Sequence, residues 1–253
     1  MKPTLEVLFT PAEFAVLPGR DLSETTCVVF DVLRFTSTIV TALANGAAAI
    51  VPVANIPDAL ALKRAQPAVL LGGERNGMRI GAALTGGIEF DLGNSPREFS
   101  PAKIAGKTIV MTTTNGTRAF QACARARAVY ACAFLNMAAT ARWLLAELPA
   151  HMLLVCSGTL EQAAFEDAVA AGALCDLVWH CYEGGQIADS AQIARALWLW
   201  IGGELSRLAH LSRNGRRLLA IPELRDDVAF CLRTDVYDLV ARLDPHGAIV
   251  RAA

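Results

Sequence analysis

The stretch GKTIVMTTTNGTRAF, residues 106–120, opens as a buried strand and closes as a helix. Thr108, Ile109, Val110 and Met111 are β-branched or apolar, whereas Thr112, Thr113, Thr114, Asn115, Gly116 and Thr117 form an unbroken polar run before Arg118. In parallel α/β sheets the strand C-termini gather on one edge, and ligands bind there. Helix N-termini on that edge offer free N–H groups and a positive dipole end, which suit an anion such as phosphate. The segment therefore reads as an anion cradle, with Arg118 as counter-charge. The competing reading is that Thr114 or Asn115 only caps a helix.

Two further stretches share this layout. In CVVFDVLRFTST, residues 27–38, an apolar strand ends at Asp31 and a helix begins near Thr36. In LLVCSGTLEQAAFED, residues 153–167, a strand runs into Ser157, Gly158 and Thr159, and a helix then carries Glu166 and Asp167. Working outward, apolar runs predict strands near 5–9, 27–31, 48–53, 68–72, 108–112, 128–133 and 152–156. Helix-length segments lie between them near 36–46, 56–66, 115–124, 137–147 and 163–181. This alternation predicts an α/β fold: a mixed, largely parallel sheet flanked by helices. After residue 185 the pattern turns helical, with Ala194, Leu197, Ile201, Leu205 and Leu208 on one face. Trp198 and Trp200 belong there to core or to a subunit interface. The chain reads as a single α/β unit over 1–253; if there are two lobes, the boundary falls in the Gly/Pro-rich loop region 72–106.

Composition narrows the class. The 253 residues are 54% hydrophobic and 19% charged, with a formal net charge of -1. Such a balance gives no support to a nucleic-acid or membrane-surface protein, and Arg213, Arg216 and Arg217 read as a solvated face. The uncharged run 35–57 is broken by Thr36, Ser37, Thr38, Asn45 and Pro52, so it is two elements and not a membrane span. Glu6 stands where a signal peptide would be apolar, so a cytoplasmic protein is expected. The seven cysteines form no C-x-x-C pair and read as reduced core residues.

Asp31 carries the sharpest chemical signal. A carboxylate directly after an apolar strand is costly unless it is paired or bound to metal. Arg34, three residues on, could pair with it, and magnesium could equally bind it, because hard cations take carboxylate oxygens; the two readings can coexist. Glu166 and Asp167, adjacent on a helix, are expected to place at most one carboxylate inward. GGERNG, residues 72–77, sets Glu74 and Arg75 among glycines, and GNSP, residues 93–96, could cap a short helix through Asn94 or Ser95. Common phosphate-chemistry signatures fail: GKT at 106–108 lacks the P-loop glycine and precedes its strand, and Leu33 stands where haloacid-dehalogenase-type phosphatases carry a second aspartate.

FDVLRFTSTIVTALANGA, GGERNG, FDLGNSPREF, TTTNGTRA, CSGT with downstream FED, SRNG and DDVAFCLRTD occur in order from about residue 27 to the end. In this the chain resembles the 2-phosphosulfolactate phosphatase family. It departs from the family pattern at Phe35, where alanine is expected, and at LEQAAFED, where a more glycine-rich approach is expected. The resemblance implies an unusual α/β topology and a magnesium-dependent phosphatase. Such an enzyme would hydrolyse (R)-2-phospho-3-sulfolactate to (R)-3-sulfolactate and phosphate, a step in coenzyme M biosynthesis. The catalytic candidates are Asp31, Arg34, Glu74 and Asp167. Candidates for substrate binding are Arg75, Asn94, Ser95, Thr113, Thr114, Asn115, Gly116, Arg118, Ser157, Gly158 and Thr159, with Arg79 as a further cation. Magnesium would be held by Asp31 and by Glu166 or Asp167, and attack would come from metal-activated water or from Asp31 itself. The alternatives are a phosphatase of another phosphorylated 2-hydroxy acid or sugar acid, and a non-catalytic module binding an anionic metabolite. The expected partner is a small anionic phosphorylated substrate, without nucleic acid or membrane. The apolar C-terminal third would serve either a homo-oligomer or one enlarged core.

Overall fold

Each predicted apolar run becomes a strand because its side chains are buried on a sheet face and its polar end meets an edge. The computed structural model describes residues 2–252. Its strands are β1 (Thr4–Leu8), β2 (Thr25–Phe30), β3 (Ala49–Pro52), β4 (Leu70–Arg75), β5 (Met78–Arg79), β6 (Thr108–Thr112), β7 (Ala128–Cys132), β8 (His151–Cys156), β9 (Gln186–Ile187), β10 (Ala241–Leu243) and β11 (Ile249–Arg251). The helices are α1 (Pro11–Ala15), α2 (Phe35–Ala44), α3 (Ile56–Ala65), α4 (Ala82–Thr85), α5 (Pro101–Ile104), α6 (Gly116–Cys123), α7 (Met137–Glu147), α8 (Phe165–Val178), α9 (Asp189–Ile201), α10 (Leu208–Leu211), α11 (Arg213–Leu219) and α12 (Arg225–Cys231).

The strands form one sheet in the order β5-β4-β6-β3-β11-β10-β7-β2-β8-β1-β9. β4, β6 and β3 are mutually parallel, and so are β7, β2, β8, β1 and β9. The hairpin β10–β11 joins the two groups through antiparallel pairings to β7 and β3. The helical character of the C-terminal third thus ends at α12, and the chain returns to the middle of the sheet. A turn at Asp244–Gly247 closes that hairpin, with the Asp244 carboxylate accepting the N–H groups of His246 and Ala248.

The three antiparallel junctions between β3 and β7 make the two parallel groups run in opposite directions along the sheet. Strand twist of about 20–25° per step, accumulated from β4 to β2, rotates one group by well over a right angle relative to the other. That rotation accounts for the meeting of strand ends that connectivity alone would hold apart. The contact is direct: Asn115 Nδ2, after β6, donates to the carbonyl of Leu160, after β8, at 3.0 Å.

The sheet curls around α2 and α6. Phe35 and Ile39 of α2 and Phe120 of α6 share one apolar cluster with Val29 of β2, Ile50 of β3, Met111 of β6 and Val155 of β8. On the opposite face α7, α8 and α9 pack against Val28, Phe30 and Leu154. Burying a side chain such as Phe35 completely is worth about 2–3 kcal/mol, so this cluster fixes the polar turns at either end of α2 and α6. Trp198 packs against the core, while Trp200 stays exposed, with Arg207 stacked over its ring at 4.4 Å. All seven cysteines are free and none but Cys181 is less than fully buried. Among the described residues no helix is long and apolar enough to cross a membrane.

Candidate active site

The three polar strand ends converge on one cavity of about 90 Å³, lined by Asp31, Glu74, Thr113, Thr114, Asn115 and Gly158 among others. At its floor α6 begins. Asn115 occupies the N-cap position, yet its side chain makes no cap hydrogen bond and reaches instead to Leu160. Neither Thr114 nor Asn115 is therefore the cap; Thr113 Oγ1 accepts the Thr117 N–H at 3.3 Å instead, and Thr114 turns to Glu74. Gly116 is required here: a Cβ at that position would lie 2.5 Å from Asp31 Oδ2. The absence of a side chain lets the helix start press against the carboxylate.

Asp31 sits half-buried at the end of β2. Its Oδ1 accepts the Phe35 N–H at 3.1 Å, and it has no ion pair: Arg34 turns away and pairs with Asp227, Nη1 to Oδ2, at 2.7 Å. Burial pushes the Asp31 carboxyl up to about 7; the Phe35 N–H opposes this, while the negative charges of Glu74 and Glu166 add to it. The expected Asp31–Arg34 ion pair is thus replaced by a pair with a residue nearly two hundred positions away, because Arg34 also needs the Gly77 carbonyl, which Nη2 reaches at 2.6 Å.

Glu166 and Asp167 are both buried, at 1% and 2% exposure, which corrects the expectation that at most one faces inward. The reason is that the first turn of α8 is covered on two sides, by the ends of β2 and β8 at Asp167 and by α11 at Glu166, although Leu177 near its other end is exposed. Asp167 turns to the sheet edge, where Oδ1 accepts the Val32 N–H at 2.8 Å and Oδ2 the Gly158 N–H at 3.3 Å. Glu166 turns to α11: Oε1 accepts from Asn214 Nδ2 at 2.5 Å, and Oε2 has no partner. Burial raises both carboxyls above the ordinary range, and mutual repulsion adds to the rise at Asp167.

The remaining predicted residues divide. Glu74 lines the cavity with both oxygens engaged, Oε1 by the Thr114 N–H and hydroxyl at 2.9 Å each and Oε2 by the Gly77 N–H at 2.7 Å. It positions the turn. Thr113, Thr114, Asn115, Gly158, Thr159 and Asn94 line the cavity as expected. Ser157 is buried beneath them, its Oγ without a partner. Ser95 does not cap a helix; its hydroxyl donates to Asp227 Oδ1 at 2.7 Å. Arg75 folds back onto the Glu74 carbonyl and Thr112, outside the cavity lining. Arg118 is also outside it, forming a surface pair with Glu161 at 2.9 Å. It lies in the first turn of α6, with its side chain partly exposed.

Sequence reasoning missed Asp227, Asn214 and Arg217. Asn214 donates to both Glu166 and Thr159, and Arg217, exposed as the solvated-face reading expects, also lines the cavity mouth. The blocks SRNG and DDVAFCLRTD held the signal for the first two, since an exposed helix has no reason to carry a buried aspartate.

No three His, Cys, Asp or Glu side chains among the described residues stand together as a ready metal cage. The donor set nevertheless fits a hard cation: Asp31 has no cationic partner, and Glu166 Oε2, Ser157 Oγ and Asn115 Oδ1 are buried oxygens short of a donor. Asp167 fits less well, since both its oxygens are taken by backbone N–H groups.

Comparison with known proteins places the chain among the phosphoric monoester hydrolases: it is a phosphatase. Residues 14–245 match the family described as 2-phosphosulpholactate phosphatase, and the chain belongs to that family. A protein of Symbiobacterium thermophilum is 39% identical over 216 residues, covering 85% of this chain and 89% of its own length. One from Pseudothermotoga lettingae is 39% identical over 238 residues, covering 93% and 94% respectively. One from Caldanaerobacter subterraneus is 36% identical, covering 92% and 93%. Each carries the name "Probable 2-phosphosulfolactate phosphatase".

Proposed function

We propose that this protein hydrolyses (R)-2-phospho-3-sulfolactate to (R)-3-sulfolactate and phosphate with magnesium bound, in the cytoplasm, as a step toward coenzyme M. The observation that carries the reading is the uncompensated Asp31 carboxylate at the start of α6. A non-catalytic anion binder would place positive charge there, not a carboxylate with a raised pKa.

In this reading the phosphoryl group sits against the α6 N-terminus and the Thr113 hydroxyl, whose oxygen already accepts from Thr117 N at 3.3 Å and whose hydrogen stays available to donate. Asp31 and Glu166 would hold magnesium, which supplies charge neutralisation for the phosphate oxygens. Asp31 would accept the proton of the attacking water as that water's oxygen bonds to phosphorus; its raised pKa of about 7 belongs to the metal-free carboxyl, and a bound cation would hold it as the carboxylate that accepts. The P–O bond to the substrate carbon's oxygen breaks, and the leaving alkoxide is protonated by solvent. Arg34, fixed by Asp227 and Gly77, faces the charge that spreads over the phosphoryl oxygens. Asp167 and Glu74 hold the two loops in place.

The test is phosphate release from racemic 2-phosphosulfolactate, with magnesium and with a chelator. Magnesium-dependent release from half of the racemate is expected. Release from other phospho-acids but not from this one would contradict the substrate.

A further inference from the structure

A second cavity of about 430 Å³ opens beside the first, and Arg34, Gly77 and Asn94 line both. The first has room for little more than a phosphate and a cation. A substrate with two further acid groups must therefore extend out of it, and this is the adjoining space. The second cavity is walled by Arg79 of β5 and by Arg97. Arg97 is already tied to Asp226 at 3.3 Å and lies 3.7 Å from Asp227. Among the described residues the Arg79 side chain has no hydrogen-bond or ion-pair partner, so its charge is uncommitted. Two acids also reach this cavity: Glu98, anchored by the Gly93 N–H at 2.9 Å, and Glu223.

A separate observation marks the junction. Asn94 is 5% exposed, and its side-chain Oδ1 is buried with no partner. Its backbone is firmly held, the carbonyl accepting from Thr38 Oγ1 at 2.9 Å, so the unfilled side chain is not a product of a loose loop. A buried amide oxygen without a partner is costly unless a ligand completes it. The amide can donate to an anion on one side and accept from a hydroxyl or water on the other.

We propose that this second cavity is the subsite for the acid group remote from the phosphate, with Arg79 as its cation and Asn94 as the polar contact at the junction. The assignment to sulfonate rests on the substrate reading above; the anion-binding character of the cavity does not. Arg79 is then a specificity residue: it discriminates among phosphomonoesters without touching the reacting atoms.

The test compares wild type with Arg79→Gln, a change at an exposed side chain that leaves the fold intact. On 2-phosphosulfolactate KM should rise about tenfold, the loss of one charge-assisted contact, while kcat stays within twofold. On 2-phospholactate, which has a methyl group in place of the sulfomethyl group, both constants should stay within twofold. Equal losses on both substrates, or no loss on either, would overturn the assignment. If wild type turns over only other phosphomonoesters, the substrate reading fails and the cavity is read by calorimetry instead. Sulfoacetate should then bind wild type in the presence of saturating inorganic phosphate, about tenfold more weakly in Arg79→Gln. Competition between sulfoacetate and phosphate, or identical binding to both proteins, would overturn the subsite.

Discussion

The Arg34–Asp227 pair and the Asp31–Glu166–Asp167 acids are both buried next to the same cavity, but only the first is balanced. Arg34 meets Asp227 at 2.7 Å and a carbonyl at 2.6 Å, and Asp227 receives the Ser95 hydroxyl as well. Among the described residues the acids have no arginine or lysine paired to them, and burial raises the pKa of each, with repulsion from the neighbouring acids adding to the rise at Asp31 and Asp167. A structural charge is one whose partners are already in the chain. A functional charge is one left waiting for a partner from outside, and the fold bears the cost of holding it.

The largest effect should come from removing the unbalanced charge. Asp31→Asn keeps the shape and the acceptor for Phe35 N–H but removes the base, and phosphate release should fall by about 10³-fold, within the range for loss of a general base. Retained activity would place Asp31 outside the chemistry. Next comes the balanced pair: Asp227→Ala leaves the Arg34 guanidinium buried without its partner, and urea unfolding should show about 3–5 kcal/mol lost. A loss under 1 kcal/mol would show that the pair is not structural.

A third effect is a pH dependence confined to the acids. In the chelated protein Asp31 titrates near 7 when folded and near its ordinary value of about 3.9 when unfolded. The folded state therefore binds more protons between those values, and the stability linked to Asp31 is fully present below pH 4 and lost as pH rises through 7. The size is on the order of 4 kcal/mol. Asp31→Asn should flatten that part of the profile and be the more stable protein at pH 8, although it is the less active one. A profile unchanged by the substitution would mean that Asp31 is not the group that titrates. The smallest effect belongs to Arg118→Ala, which breaks an exposed pair with Glu161 and should cost under about 0.5 kcal/mol with unchanged turnover. A tenfold loss of activity would restore Arg118 to the site.

The comparison also explains what the sequence could reveal. Every strand longer than three residues was legible, because each is an apolar run that a parallel sheet buries on both faces. β10 and β11 were not: three residues apiece, with Arg242 and Arg251 among them, they give too little pattern to stand out from a helical neighbourhood. The acid floor was legible because Asp31 interrupts an apolar stretch and Thr113–Asn115 follows a strand end. The residues that the C-terminal third brings to that floor were not. Asp227, Asn214 and Arg217 come from short helices whose charges look solvated in sequence, and only the sheet's twist and the return of the chain through α11 and α12 carry them to the cavity. Phe35, a departure from the family pattern, is explained by packing: it stacks edge-on to Phe120 at 6.0 Å inside the core, away from the cavity wall.

The most direct measurement is an anomalous-scattering map from crystals grown with manganese in place of magnesium. A single ordered ion between the Asp31 carboxylate and Glu166 Oε2 is predicted, lost in Asp31→Asn. An ion bound elsewhere, or none at manganese concentrations that support turnover, would contradict the claim that the unbalanced acids are the metal-binding end of the catalytic site.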